Sequence, residues 1–338
     1  MQTIDVHTHY YPDGVVRLID EEGGPFGATV ARDDARGPTI KVRHPPSGPI
    51  PPAGPLIPTF RDLDARLADM DAHGVDVHLM SFSQPMLYWA SDDLGLRLAG
   101  AFNDAVAEAH LAHPRRFFGL MALPMQNPAL AAEEFDRAAA LPGMRGVFLS
   151  TRVVTTELSD PIYWPLLERI AASGLPAFVH PLNAIGAGRL GSRHYFANLL
   201  ANPFETTACA ALLIFDGVLD RFPGLELVLA HAGGALPWLI GRLTQGWHVR
   251  PECRHLVRSP REYLDRFHFD TITFDHTALA HLAGLVGTGR LLLGSDYCFS
   301  MSELDPVGFV LGAPGLDDAG RAAILGGNAR ALFRLPSE

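Results

Sequence analysis

Eight short apolar stretches recur along the 338-residue chain, separated by segments of helical spacing, and this alternation limits the fold more than any other feature. A strand, a helix and a second strand pack as a unit with parallel strands, so repeated alternation predicts one parallel sheet of α/β type. The strand candidates are Thr3–Val6, Asp76–Phe82, Phe117–Leu123, Gly146–Ser150, Ala177–Val179, Glu226–Ala230, His268–Thr273 and Leu291–Gly294. Several are nearly continuous hydrophobic runs, as strands become when both faces are covered. The helix candidates include Phe60–His73, Asp92–His113, Pro128–Ala140, Asp160–Ser173, Pro203–Phe222 and Leu279–Val286, several opened by Asp or Pro. Eight such repeats predict a (β/α)8 TIM barrel occupying residues 1–338 as a single domain, with a doubly wound open sheet as the competing topology.

The alternation is interrupted once, between the first strand and the first clear helix, by residues 10–59. Pro38, Pro45, Pro46, Pro49, Pro51, Pro52, Pro55 and Pro58 exclude regular helix over its second half. Because this insertion leaves the C-terminal end of strand one, it is expected to lie over the barrel mouth, either as a lid or binding element or as a passively packed insertion.

Hydrophobic residues at 48% and charged residues at 19% suit a large buried core and argue against disorder. The formal net charge is −10 and no basic stripe is present, so nucleic acid is not an expected partner. Cys209, Cys253 and Cys298 are too scattered for a disulfide framework and suit inert thiols in a reducing cytosol. The chain enters its first strand without the basic start and apolar run of a signal peptide. Its most apolar long window, Leu225–Ile240, is broken by Glu226, His231, Gly233, Gly234 and Pro237. A cytoplasmic protein without membrane contact is expected.

The C-terminal ends of strands one, five, six and eight carry His7 and His9, His180, His231, and Asp296. In a barrel these ends converge on one face, where active sites of this fold are built. His7 and His9 alternate along an extended strand, so both side chains point the same way and reach one ion. His180 closes the run Pro176–Val179 ahead of Pro181 and supplies a third nitrogen. Asp296 at the tip of Leu291–Ser295 is an acid that burial would penalise unless it were paired or bound to a metal. Three imidazoles and a carboxylate suit one divalent ion, zinc first and manganese or iron as alternatives. His231, followed by Gly233 and Gly234, is either a further ligand or a general acid/base beside the ion, the second role being preferred. Asp275 and His276 are secondary candidates for supporting or substrate roles, whereas His73, His78 and His113 read as structural.

The segments Asp5-Val6-His7-Thr8-His9, Val179-His180-Pro181, Ala230-His231-Ala232-Gly233-Gly234 and Leu293-Gly294-Ser295-Asp296-Tyr297 resemble the amidohydrolase superfamily, and within it the 2-amino-3-carboxymuconate 6-semialdehyde decarboxylase-like group. The similarity runs through nearly the whole chain, including Pro114–Phe117, Ala122–Gln126, Glu205–Thr207 and Arg221–Pro223. It implies a mononuclear site in which His7, His9, His180 and Asp296 bind the metal and His231 is the catalytic histidine. It also implies a homodimer in which Arg242, eleven residues after His231, reaches the neighbouring site. An arginine of the first loop, Arg43 or Arg61, would bind a substrate carboxylate. Two positions depart from the group: Leu182-Asn183 stands where Trp-Asp is usual, and Cys298 where Pro is usual. Hydrolytic members often bridge two metals through a carboxylated lysine on strand four. Lys41 is the only lysine in this chain, so that bridge is excluded.

Together these readings predict a metal-dependent nonoxidative decarboxylase acting on a small unsaturated or aromatic carboxylic acid, without an organic cofactor and with His231 and Asp296 as catalytic residues. A mononuclear hydrolase of lactones or amides, or a hydratase, is the alternative. A ligand-binding barrel without catalysis would instead show an incomplete or closed ligand set.

Overall fold

A computed structural model describes residues 2–33, 36–43, 54–182, 184–190 and 193–336. Twelve strands lie among them: β1 (Ile4–His9), β2 (Ala28–Ala31), β3 (Thr39–Val42), β4 (Val77–Ser81), β5 (Phe117–Met121), β6 (Met144–Ser150), β7 (Arg152–Val153), β8 (Thr156–Glu157), β9 (Ala177–His180), β10 (Leu227–Leu229), β11 (Phe267–Asp270) and β12 (Leu291–Leu292). Eight form one parallel sheet in the order β1-β4-β5-β6-β9-β10-β11-β12. The sheet then returns on itself. The Val6 N–H donates to the Leu293 carbonyl at 2.9 Å, the Tyr297 N–H to the His7 carbonyl at 3.2 Å, and the His9 N–H to the Tyr297 carbonyl at 2.5 Å. The result is the expected (β/α)8 TIM barrel.

The eight barrel strands are buried on both faces, which explains their near-continuous hydrophobicity. Phe117, Phe118, Phe148, Phe178, Phe267 and Phe269 are almost fully buried, and side chains of this size each contribute roughly 2 kcal/mol through removal from water. Register matters more for function. Leu229 pairs with Val179 on one side and Phe269 on the other, so His180, Ala230 and Asp270 all stand one residue beyond a common rung.

Helix boundaries follow local chemistry. The predicted helix Phe60–His73 is two pieces, Pro58–Arg61 and Leu63–Ala72, because Asp62 adopts an extended conformation and caps the second piece, accepting from the Asp64 and Ala65 N–H groups. Gly217, at φ 73°, likewise divides Pro203–Phe222 into Asn202–Phe215 and Val218–Arg221.

The insertion of residues 10–59 is partly regular. Helix Asp13–Glu22 packs through Val15, Val16 and Ile19 and is tied to helix Asp92–Ala112 by paired bonds from Arg97 to Glu22 at 2.6 and 2.5 Å. Strands β2 and β3 form an antiparallel hairpin. Where the insertion ends, Phe60 meets Phe299 edge-on, and Phe299 in turn packs against the His9 ring. Residues 44–53, with much of the proline run, lie outside the described residues. No helix among the described residues is long and apolar enough to cross a membrane.

Candidate metal centre

β1 extends beyond the predicted Val6 to His9, so both histidines sit within the strand and face the barrel interior. The rings of His7, His9 and His180 form an equilateral triangle with centroids 5.2 Å apart. Each ring turns Nδ1 away from the triangle toward an acceptor: His7 toward Asp270 Oδ2 at 2.8 Å, His9 toward the Phe82 carbonyl at 3.0 Å, and His180 toward the Pro181 carbonyl at 3.0 Å. A carbonyl or carboxylate can only accept, so the bonded Nδ1 carries the proton in each case. The Nε2 atoms therefore face inward.

Asp296 closes the set. Its Oδ1 lies 3.1 Å from His9 Nε2 and 3.3 Å from His7 Nε2, and ligand atoms of His7, His9, His180 and Asp296 all fall within 4.8 Å of one another. The four residues are buried, on a floor that includes Phe148 and Phe178. Among the described residues, His7 Nε2 is buried without a well-aligned hydrogen bond despite its proximity to the carboxylate. Inward-facing nitrogens around one carboxylate fit a divalent cation in donor chemistry and in convergence.

The electrostatics agree. Burial works against protonation of His7, but the Asp296 and Asp270 carboxylates outweigh it and raise its pKa to about 10. Burial would raise the Asp296 pKa, yet His7, His231 and His9 hold it well below the usual carboxylate range. His180 is held well below the ordinary imidazole value by burial and by the neighbouring histidines. The cluster thus favours positive charge beside Asp296.

His231 stands next to this group, its Nε2 3.8 Å from Asp296 Oδ2 and its ring 5.3 Å from those of His7 and His180. His231 and Asp296 border a cavity of about 290 Å³ walled by Trp238, Ile272, Phe274 and Leu282. The Trp238 indole stacks on His281 with centroids 4.4 Å apart and planes 6° from parallel.

The arginines are elsewhere. Arg242 is exposed on helix Leu236–Val249, Arg43 is exposed just after β3, and Arg61 pairs with Asp13 at 2.5 Å. None lines the cavity. Asp275 caps helix His276–Val286 by accepting from the Ala278 N–H at 2.8 Å, and His276 stacks on Phe309.

Three residues were not singled out from the sequence. Asp270, at the end of β11, accepts from His7 and from the His231 and Ala232 backbone. Asp5 accepts from the His7 and Ser295 N–H groups at 3.0 and 3.2 Å and from the Ser295 hydroxyl, and burial pushes its pKa up to about 7. Arg66, fully buried, donates to the His9 carbonyl and lies 4.9 Å from the Tyr297 ring centroid. Asp5 and Asp270 are acids set in largely apolar runs, which is the available signal, whereas Arg66 lies among Asp62, Asp64 and Asp69 and carries no such mark.

An amidohydrolase family model matches residues 4–335. The chain belongs to that family. Among curated relatives of this amidohydrolase, the 2-amino-3-carboxymuconate-6-semialdehyde decarboxylase of Dictyostelium discoideum is 31% identical, over 96% of this chain and 90% of its own length. A gamma-resorcylate decarboxylase of a Polaromonas strain is 28% identical, over 80% and 87%. Among solved structures, the 5-carboxyvanillate decarboxylase LigW of Sphingomonas paucimobilis superimposes with a TM-score of 0.83 at 27% identity, covering 99% of this chain and 100% of that one. The apo form of Metarhizium anisopliae IDCase gives a TM-score of 0.87 at 26% identity, covering 99% and 97%.

Proposed function

We propose that this amidohydrolase is a metal-dependent nonoxidative carboxy-lyase acting on a small aromatic or unsaturated carboxylic acid. His7, His9, His180 and Asp296 would hold one divalent ion, with zinc the first choice for three imidazoles and a carboxylate and manganese or iron the alternatives. The observation that carries the reading is a buried three-imidazole, one-carboxylate cluster opening beside His231 onto a cavity with largely apolar walls. The curated relatives and LigW, all named as decarboxylases, support the reaction class.

Bound there, the ion would supply a fixed positive charge that orients a substrate carboxylate. The remaining work falls to the chain. Trp238, Ile272, Phe274 and Leu282 offer flat and apolar surfaces to a ring or conjugated chain and limit water. Decarboxylation without an oxidant needs somewhere for the electron pair of the broken carbon–carbon bond. Protonation of the carbon bearing the carboxylate provides it: the pair returns to the conjugated system as CO2 leaves, and the proton stays on carbon. His231 is the proton donor we assign, with Asp296, whose Oδ2 lies 3.8 Å from His231 Nε2 and so beyond a direct hydrogen bond, as the second candidate.

We further propose a homodimer. Leu199, Leu200, Phe204, Trp238 and Leu239 are exposed large apolar side chains near the cavity mouth, the kind of surface a monomer seldom leaves uncovered. Arg242, one helical turn beyond Trp238 on the same helix, would then pair with a substrate carboxylate in the neighbouring site. Arg43 in the insertion and Arg61 just after it are the other candidates for that carboxylate, although neither lines the cavity and Arg61 pairs with Asp13.

The test is CO2 release by metal-reconstituted enzyme from a panel of hydroxybenzoate and carboxymuconate acids. Release from at least one acid, abolished by removing the metal, is expected. Turnover of a lactone or ester with no CO2 from any panel member would replace this reading with a hydrolase.

A further inference from the structure

We propose that Asp270 is the positioning residue of the centre, a single carboxylate that sets both the ring orientation of His7 and the backbone turn presenting His231. The inference rests on the functional reading above for what those histidines do, but its geometry stands alone. Asp270 is fully buried. Its Oδ2 lies 2.8 Å from His7 Nδ1 and accepts the His231 N–H, also at 2.8 Å. Its Oδ1 accepts the Ala232 N–H at 2.7 Å and the Ile272 N–H at 3.1 Å. A buried carboxylate is costly unless it accepts several hydrogen bonds, and here every acceptor direction is committed to the site or to its own turn.

The His231 turn needs such a hold. His231, Ala232, Gly233 and Gly234 have φ of 55, 54, 73 and 62°, four consecutive residues with positive φ. Glycine adopts this freely, whereas His231 and Ala232 do so against steric resistance. Successive N–H groups in such a turn converge into a concavity that suits an anion, and Asp270 fills it.

The same oxygen that receives the His231 N–H also faces His7, so the two histidines cannot be displaced independently. Backbone packing restricts the carboxylate further. A Cβ on Gly294 would stand 2.8 Å from Asp270 Cβ and 3.1 Å from His7 Cβ, so bare backbone closes over both side chains.

Asp270→Asn keeps the shape and removes the second acceptor. If its amide nitrogen takes the place of Oδ2, it meets two donors, the His7 Nδ1–H and the His231 N–H. His7 can answer only by moving its proton to Nε2, the atom aimed at the ion. The experiment equilibrates wild type and Asp270→Asn against a zinc buffer, with circular dichroism as the control for folding. Zinc affinity is expected to fall about ten- to hundredfold. On zinc-saturated protein, the kcat loss caused by Asp270→Asn is expected to shrink in a His231→Ala background, because both changes then remove one function. The unmodified zinc-loaded protein gives a reading that needs no variant: ring nitrogen-15 spectra are expected to show His7 protonated at Nδ1.

Wild-type zinc affinity in folded Asp270→Asn, additive kcat losses, or His7 protonated at Nε2 would overturn the proposal. Zinc affinity does not depend on which bond the enzyme breaks. A panel without CO2 release therefore removes the decarboxylase reading and leaves Asp270 standing, whereas unmodified protein that takes up no zinc removes both.

Discussion

A histidine becomes a metal ligand only when something holds its other nitrogen. In this chain a carboxylate holds His7 and main-chain carbonyls hold His9 and His180. Their side chains are thus oriented before any ion arrives, and loss of one ligand should be felt as lost affinity more than as lost structure. His7→Ala and Asp296→Ala are each expected to lower metal content after dialysis at least about tenfold while remaining folded. Metal analysis beside circular dichroism checks this, and unchanged metal in both variants would remove the ligand assignment. These side chains were legible in the sequence because each ends or closely follows an apolar run, and strand ends in a barrel share one face. Asp270 was not, because the apolar pattern continues to Thr273 and places Asp270 in a strand interior, whereas β11 ends at Asp270 itself. The arginines were hardest to read. Arg43 and Arg242 are long side chains on exposed surface, and no local pattern states what such a group reaches.

At the level of elements, existence and order were legible and ends were not. Apolar pattern alone ends the first strand at Val6, because polar His7, Thr8 and His9 interrupt it, yet they are buried and extend it. Apolar spacing starts the helix between β11 and β12 at Leu279, but it begins at His276 because Asp275 caps it. That cap decides what Asp275 does. Asp275→Ala is expected to cost about 1 kcal/mol of stability through the lost cap, with kcat/KM unchanged within about twofold because the carboxylate faces the helix N-terminus. Urea unfolding and steady-state kinetics measure the two. A stability-neutral variant with a large loss of kcat/KM would return Asp275 to the candidate substrate residues.

At the scale of the molecule, the proposed dimer makes a prediction that single variants do not. In a symmetric dimer with Arg242 acting across the interface, His231→Ala and Arg242→Ala each keep only a small residual activity alone, but a hybrid dimer rebuilds one intact site. Random re-pairing of equal amounts should restore about a quarter of wild-type activity. Mixing that restores none, with re-pairing confirmed by tagged chains, would place Arg242 outside the neighbouring site.

The centre also straddles the seam where β12 meets β1. His7 and His9 belong to one side and Asp296 to the other, and the main-chain bonds that close the sheet come from Val6, His7, His9 and Tyr297. Asp5 and Ser295, which bond across the same line, are 290 positions apart in the chain. Bringing such distant segments together carries a large loop-closure entropy cost, so an ion gripping both would act as a clasp on the ring of strands. In this barrel, the grip that would ready the molecule for chemistry and the bonds that keep its circle shut come from the same few neighbouring residues.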